Sequence, residues 1–83
     1  MLESDDGPLP DQVASDEQRI AVRKVVDEMP ERLRLVLVLG YFQQLPYAQI
    51  AEILDIPVGT VKSRLHAAVK HFARLWKARA EAN

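Results

Sequence analysis

Apolar positions recur with the period of an α-helix in three stretches of this chain, each bounded by residues that begin or end helices. The first stretch opens on Ser15-Asp16-Glu17-Gln18, a capping-box pattern in which the Ser and Gln side chains bond each other's free backbone N–H groups. Apolar residues then follow at helical spacing (Val22, Val25, Val26 and Met29) until Pro30 ends the element. We therefore expect a helix from Ser15 to about Met29.

For the second element, Glu31 to about Phe42, the spacing of apolar residues does not distinguish a helix from a strand. Four leucines alternate as they would in a strand, while valines fill two of the gaps (Leu33, Leu35, Leu37, Leu39, Val36 and Val38). Leu forms helices better than strands, and no second strand is evident elsewhere in the sequence. We predict a central helix that is buried on most sides, with Tyr41 and Phe42 interpreted first as core residues and second as candidates for contact with a partner.

The last two predicted helices are joined by the tight turn Asp55-Ile56-Pro57. The short one, Tyr47 to Leu54, is expected to turn Ile50, Ala51, Ile53 and Leu54 inward. The long one runs from Val58 to about residue 79, with an inward stripe (Val61, Leu65, Ala68, Val69, Phe72, Leu75 and Trp76) and an opposite face (Ser63, His66, Ala67, Lys70, Arg74 and Lys77). The predicted fold is all-α, a compact four-helix domain over 15–83 preceded by a flexible acidic linker over 1–14.

Charge is distributed unevenly along the chain, although the net charge is only −1. Residues 1–18 carry six of the 12 acids and no base, whereas residues 19–83 carry all 11 Lys and Arg with the other six acids. Such asymmetry points to a polyanionic partner. On charge alone, a solvated helix face remains the alternative.

Composition excludes several classes of function. The chain of 83 residues has no cysteine and only three glycines, which excludes disulfides, thiolate chemistry and a glycine-rich phosphate loop. No apolar run approaches the ~20 residues of a membrane span, so we expect a cytoplasmic protein without a membrane partner. His66 and His71 have no acidic partner at ligand spacing, and no Ser, His and Asp converge. We expect neither an enzyme nor a metal or cofactor site.

The two last helices, at about 47–66, match the helix-turn-helix plan, in which the second helix enters the major groove of DNA. Val61 and Leu65 would anchor that helix and leave Lys62, Ser63 and His66 pointing outward. Free backbone N–H groups at Gly59-Thr60 offer a place for a phosphate. A plain helical bundle shows similar periodicity, so this pattern alone leaves both readings open.

The residues of this motif closely resemble region 4 of bacterial sigma factors, of the extracytoplasmic-function (ECF) group. The resemblance is carried by Leu45 to Leu54 and by Ile56 to His66, whose run VGTVKSRL is highly specific, and it covers about residues 19–78. It implies double-stranded promoter DNA at the −35 element, the beta flap of RNA polymerase core and an anti-sigma factor as partners. It also implies a DNA-binding set comprising Tyr47, Thr60, Lys62, Ser63, Arg64, His66 and Lys70.

This sequence departs from the sigma-factor pattern at three positions. Ala67 and Val69 stand where the family often has Arg, and loss of an Arg fork onto guanine removes about 1–3 kcal/mol of base discrimination. Pro46 replaces a Ser or Thr cap. The apolar pair favours the alternative of a sigma-like module that engages an anti-sigma factor or polymerase without reading DNA. A helix-turn-helix output domain of a response regulator is a weaker alternative.

The family's −10-reading region has no counterpart in these 83 residues. We therefore expect either a fragment of a longer sigma factor or a stand-alone domain.

The acidic residues 1–18 are either a simple linker or compete with DNA for the basic part of the chain, and the competition is tested by deleting residues 1–14. Deleting them should tighten DNA binding at low salt, because screening weakens such competition as salt rises. Fluorescence anisotropy with the full and shortened chains measures this directly, and equal affinities would refute the competition.

Overall fold

The computed structural model describes residues 15–82, which form four α-helices, a π-helical segment and no strand. In chain order these are α1 (Asp16–Asp27), α2 (Glu31–Leu37), the π segment (Val38–Phe42), α3 (Tyr47–Leu54) and α4 (Val58–Ala82). The predicted all-α, four-helix class is confirmed, and α4 ends three residues later than predicted. The predicted linker over 1–14 lies outside the described residues.

Helix α1 begins with the predicted capping box. The Ser15 hydroxyl accepts from the backbone N–H of Gln18, and the Gln18 side chain accepts from the backbone N–H of Ser15, each at 3.2 Å. At the other end, Nη1 of Arg34 donates to the carbonyl of Met29 at 3.1 Å and to that of Asp27 at 3.3 Å. Both ends of α1 therefore have partners for backbone groups that a helix leaves unpaired.

Replacing Ser15 by Ala is expected to lower the free energy of unfolding by about 0.5–2 kcal/mol, because the N–H of Gln18 loses its acceptor. Ser15→Asp keeps an acceptor oxygen at the helix start and is the matched control. Urea denaturation followed by circular dichroism measures both variants. An Asp variant as unstable as the Ala variant would show that the capping bond contributes nothing.

The leucine-rich run is helical, but it changes helix type midway. Leu33, Val36 and Leu37 are buried, whereas Leu35 is exposed, so one side of the element faces solvent. From Val38 the helix becomes a wider π-helix, the π segment. A Cβ added to Gly40 in this segment would lie 3.2 Å from Cδ2 of Leu65. Glycine therefore lets this backbone approach α4 closely.

The prediction that Tyr41 and Phe42 belong to the core is wrong, because both are 43% exposed. The π segment brings Gly40, rather than an aromatic ring, against Leu65 and leaves the two following side chains outside. Gln44, at φ 58°, then turns the chain toward α3. The aromatic pair is consequently a surface feature of the domain.

The core lies between α4 and the other three helices, each of which packs against it. Its buried side chains come from every α-helix and from Met29, which lies between α1 and α2: Val25, Val26, Met29, Leu33, Val36, Leu37, Ile50, Ala51, Val61, Leu65 and Ala68. Phe72 and Leu75 extend the core along α4, and the half-buried Phe72 and Trp76 rings stack with their centroids 5.7 Å apart. Burial of this apolar surface is what fixes the orientation of α4.

Two predicted inward positions prove to be exposed. Ile53 is 52% exposed and Val69 is 37% exposed. The middle of the apolar arc faces the core and holds buried residues such as Ile50 on α3 and Leu65 on α4. Ile53 and Val69 lie at the edge of the arc, where no neighbouring helix covers them. The apolar pattern thus overestimates how wide a face these helices bury.

Candidate nucleic-acid interface

The turn between α3 and α4 is closed by backbone geometry at Asp55. Asp55 adopts the left-handed conformation, with φ 59° and ψ 51°. The N–H of Ile56 then donates to the carbonyl of Ala51 at 3.0 Å, and Ile56 packs half-buried against the core. Asp tolerates this conformation better than most residues because its short polar side chain bonds locally. The turn therefore fixes where α4 begins.

The first turn of α4 leaves backbone donors open to solvent. The N–H groups of Thr60 and Val61 donate to the carbonyl of Pro57 at 3.0 and 3.1 Å. The N–H groups of Val58 and Gly59 come too early in the helix to have a carbonyl partner within it. A Cβ placed on Gly59 would meet nothing within 4 Å. An anion can therefore approach this helix start closely, and the helix dipole favours it.

Beyond that turn, α4 presents one polar face to solvent. Val61, Leu65 and Ala68 are buried and hold the helix on the core. Four residues opposite them are exposed, and at about 100° per residue they span an arc of about 100°: Lys62, Ser63, His66 and Lys70. The Ser63 hydroxyl donates to the carbonyl of Gly59 at 3.3 Å, which leaves its lone pairs free to accept.

The other three predicted DNA-binding residues lie away from this arc. Thr60 and Arg64 are half-buried and lie about 160° and 200° around α4 from Lys62. Tyr47 is exposed in the first turn of α3. The structure thus brings together four of the seven predicted residues, and puts Arg64 on the opposite flank of the helix.

The structure also displays residues that the sequence analysis did not select. Val58 is exposed in the first turn of α4, where an apolar side chain gives no sequence signal for an interface. His71 is half-buried, and its Nδ1 is enclosed without a hydrogen-bond partner, so it points away from the solvent face.

Within residues 15–82, no three His, Asp or Glu side chains gather as metal ligands, and no helix there has the length and apolar character to cross a bilayer.

Comparison with known proteins identifies the family. Residues 19–72 match the family described as sigma-70, region 4. The chain belongs to this family. The region 4 match begins inside α1 at Arg19, covers α2 and α3, and ends inside α4 at Phe72.

Curated relatives of the chain are ECF sigma factors, as the sequence resemblance predicted. The ECF RNA polymerase sigma factor SigW of Bacillus subtilis (strain 168) is 45% identical over 62 residues, which is 74% of this chain and 33% of that protein. The ECF RNA polymerase sigma-E factor of Escherichia coli (strain K12) is 43% identical over 54 residues, covering 65% of this chain and 28% of that protein. The chain spans about a third of the length of these relatives. Their names describe sigma factors, which are not enzymes.

Proposed function

We propose that this chain is the promoter-binding module of an ECF sigma factor. It binds the −35 element of double-stranded promoter DNA and docks on the beta flap of RNA polymerase core, in the cytoplasm and without catalysis of its own. The observation that carries the proposal is the outward face of α4, where Lys62, Ser63 and His66 are exposed together above a buried anchor. Membership in the region 4 family supports the same conclusion.

The dimensions of this face suit the major groove. Lys62 and Lys70 are separated by eight residues, a rise of about 12 Å, which equals the width of the groove. We propose that the axis of α4 crosses the groove, which brings one lysine near each phosphate backbone and places Ser63 and His66 between them at the base edges. Lysines on phosphates provide affinity, and polar side chains at base edges provide sequence preference.

The remaining predicted residues take supporting positions in this proposal. Tyr47 and Thr60 stand at the starts of α3 and α4, where a phosphate meets free backbone N–H groups. Arg64 reaches DNA only along the opposite flank of α4, so its contact is with a backbone phosphate rather than a base. We therefore assign base reading to Ser63 and His66.

The proposal is tested by selecting DNA from a pool of randomised duplexes with the 83-residue chain. One enriched motif is expected, with affinity at least tenfold above that for its scrambled version, since each base-edge contact contributes about 1–3 kcal/mol. Fluorescence anisotropy at moderate salt measures both affinities. Enrichment of no motif, or equal affinity for the two duplexes, would contradict sequence reading.

Docking on polymerase is assigned to the exposed aromatic pair Tyr41 and Phe42. Replacing both by Ser is expected to weaken binding to RNA polymerase core at least tenfold, because buried aromatic anchors typically contribute 2 kcal/mol or more at interfaces. Ile53→Ser, which also removes an exposed apolar side chain, is the matched control and should bind normally. Biolayer interferometry without DNA measures this, and equal loss in both variants would refute the assignment.

A second candidate function is a protein-interaction module that engages an anti-sigma factor or polymerase without reading DNA. Ala67 and Val69 favour it, because both are exposed beside the polar face and neither offers a hydrogen bond to a base. The duplex selection separates the two functions: no motif emerges if α4 serves only protein contacts.

A further inference from the structure

Helix α4 is longer than base reading requires. It spans 25 residues, Val58–Ala82, or about 37 Å, whereas the major groove is about 12 Å wide. The region 4 match ends at Phe72, so the last ten residues of the helix lie outside it. What this extension presents to solvent is therefore not assigned by the family.

The extension continues the basic face of the DNA-reading half. Lys62, His66, Lys70 and Arg74 recur at four-residue intervals, and Lys77 follows three residues later. At about 100° per residue all five lie within about 120° of the helix surface, and all are exposed. We call these five residues the basic row.

The basic row is longer than the major groove is wide. Lys62 and Lys77 are 15 residues apart, a rise of about 22 Å, so the row is nearly twice as long as the groove is wide. With Lys62 and Lys70 at the two edges of the groove, Arg74 and Lys77 extend about 6 to 10 Å beyond the second edge. In this placement, the part of the duplex nearest to Arg74 and Lys77 is the phosphate backbone at the second edge of the groove.

We propose that Arg74 and Lys77 form a second phosphate-binding site, which extends the DNA interface of α4 beyond its base-reading half. The site takes backbone phosphates of duplex DNA without regard to sequence. It rests on the proposed function only in requiring that the outward face of α4 docks on DNA.

Two simpler explanations of these bases are weaker. The helix dipole favours cations in the last turn, which accounts for Arg79 but not for Arg74, more than one turn earlier. Pairing along the helix accounts for little, because Glu81 is the only acid of residues 58–83 and lies four residues from Lys77 but seven from Arg74. Arg74 thus has no acid on α4 at pairing distance.

The test compares Arg74→Gln/Lys77→Gln with a control of equal charge change, Arg23→Gln/Lys24→Gln. The control bases are exposed on α1. Val25 of α1 and Glu28 directly after it line a groove with Leu75 and Arg79 of α4, which lie on the side of α4 away from the basic row. Binding of the 83-residue variants to the selected and scrambled duplexes is measured by anisotropy between 50 and 200 mM salt, conditions over which phosphate contacts dominate salt dependence.

Loss of two phosphate contacts is expected to reduce the slope of log K against log salt by about 1.8, on both duplexes alike. At 0.1 M salt this corresponds to a roughly tenfold to hundredfold weaker complex. The α1 control should keep the slope of the natural chain. An unchanged slope in Arg74→Gln/Lys77→Gln, or equal reductions in both double variants, would overturn the second site.

The same data separate this inference from the proposed function. A natural chain that prefers the selected duplex, together with an unchanged slope in Arg74→Gln/Lys77→Gln, overturns the second site alone. Equal binding to both duplexes, with the slope reduced as expected, overturns −35 reading and supports the second site. A natural chain that binds neither duplex at 50 mM salt overturns both.

Discussion

Replacing Ile50 by Ala is expected to lower the free energy of unfolding by about 2–5 kcal/mol, whereas Ile53→Ala should lower it by less than about 1 kcal/mol. The two isoleucines lie three residues apart on α3, but Ile50 is 0% exposed and Ile53 is 52% exposed. Truncation of Ile50 leaves a cavity beside Leu65 and Gly40, since its Cδ1 lies 3.6 Å from a Cβ placed on Gly40. In a small domain, the loss of several kcal/mol is a large part of the total stability.

Urea denaturation at equilibrium measures both variants on one scale. Because the same atoms are removed from the same helix, helix propensity is nearly matched and burial is the main difference. Equal destabilisation would mean that both side chains face the core, as the apolar pattern of α3 indicates, and would contradict the orientation of this helix.

The second large effect is expected at the DNA-facing side of α4. Replacing Lys62, Ser63 and His66 together by Ala should give a variant that binds the selected duplex no more tightly than it binds the scrambled duplex. Each base-edge contact that is lost removes about 1–3 kcal/mol, and loss of the lysine removes one phosphate contact from both duplexes. All three side chains are exposed, so the fold should keep its stability to within about 0.5 kcal/mol per substitution.

The control for this triple variant is Arg23→Ala/Lys24→Ala on α1, which removes charge away from the proposed interface. It should retain the preference for the selected duplex, although the overall charge falls. A triple variant that keeps its sequence preference while remaining folded would show that base reading resides elsewhere. Thermal denaturation of each variant verifies that the fold is intact.

Helix boundaries are predictable from this sequence because local chemistry determines them. The Ser15 capping box begins α1, Pro30 and Pro46 stand at the N-caps of α2 and α3, and Pro57 directly precedes α4. Proline fixes φ and lacks an N–H donor, so it favours a helix start over a helix interior. These effects depend on neighbouring residues alone, and the predicted starts therefore agree with the structure.

Side-chain burial is less predictable, because it depends on which arc of each helix meets a neighbour. The positions of Tyr41 and Phe42 follow from the π segment and from the contact of Gly40 with Leu65, a residue 25 positions away. Nothing in the local sequence encodes that contact. Ile53 is similar, since an apolar residue at the edge of a helix face is buried only if the neighbouring helix is wide enough to cover it.

The candidate site likewise has features that the local sequence predicts and features that depend on how α4 packs. The run from Val58 to Leu65 indicates its family and its polar face directly, because that signal is carried by the residues themselves. Arg64 belongs to the same run, yet only the packing of α4 shows that it lies on the opposite flank from Lys62. The extension of the basic row to Lys77 likewise depends on α4 continuing to Ala82 as one helix.

Base reading by α4 is tested most directly by an NMR titration of the isotope-labelled chain with the selected duplex and its scrambled version. It is performed at low and at moderate salt. At moderate salt, the proposed function predicts selective shifts of the Lys62, Ser63, His66 and Lys70 amides with the selected duplex only, while α1 stays unperturbed. Equal shifts with both duplexes that disappear at moderate salt, or no shifts on α4, would contradict it.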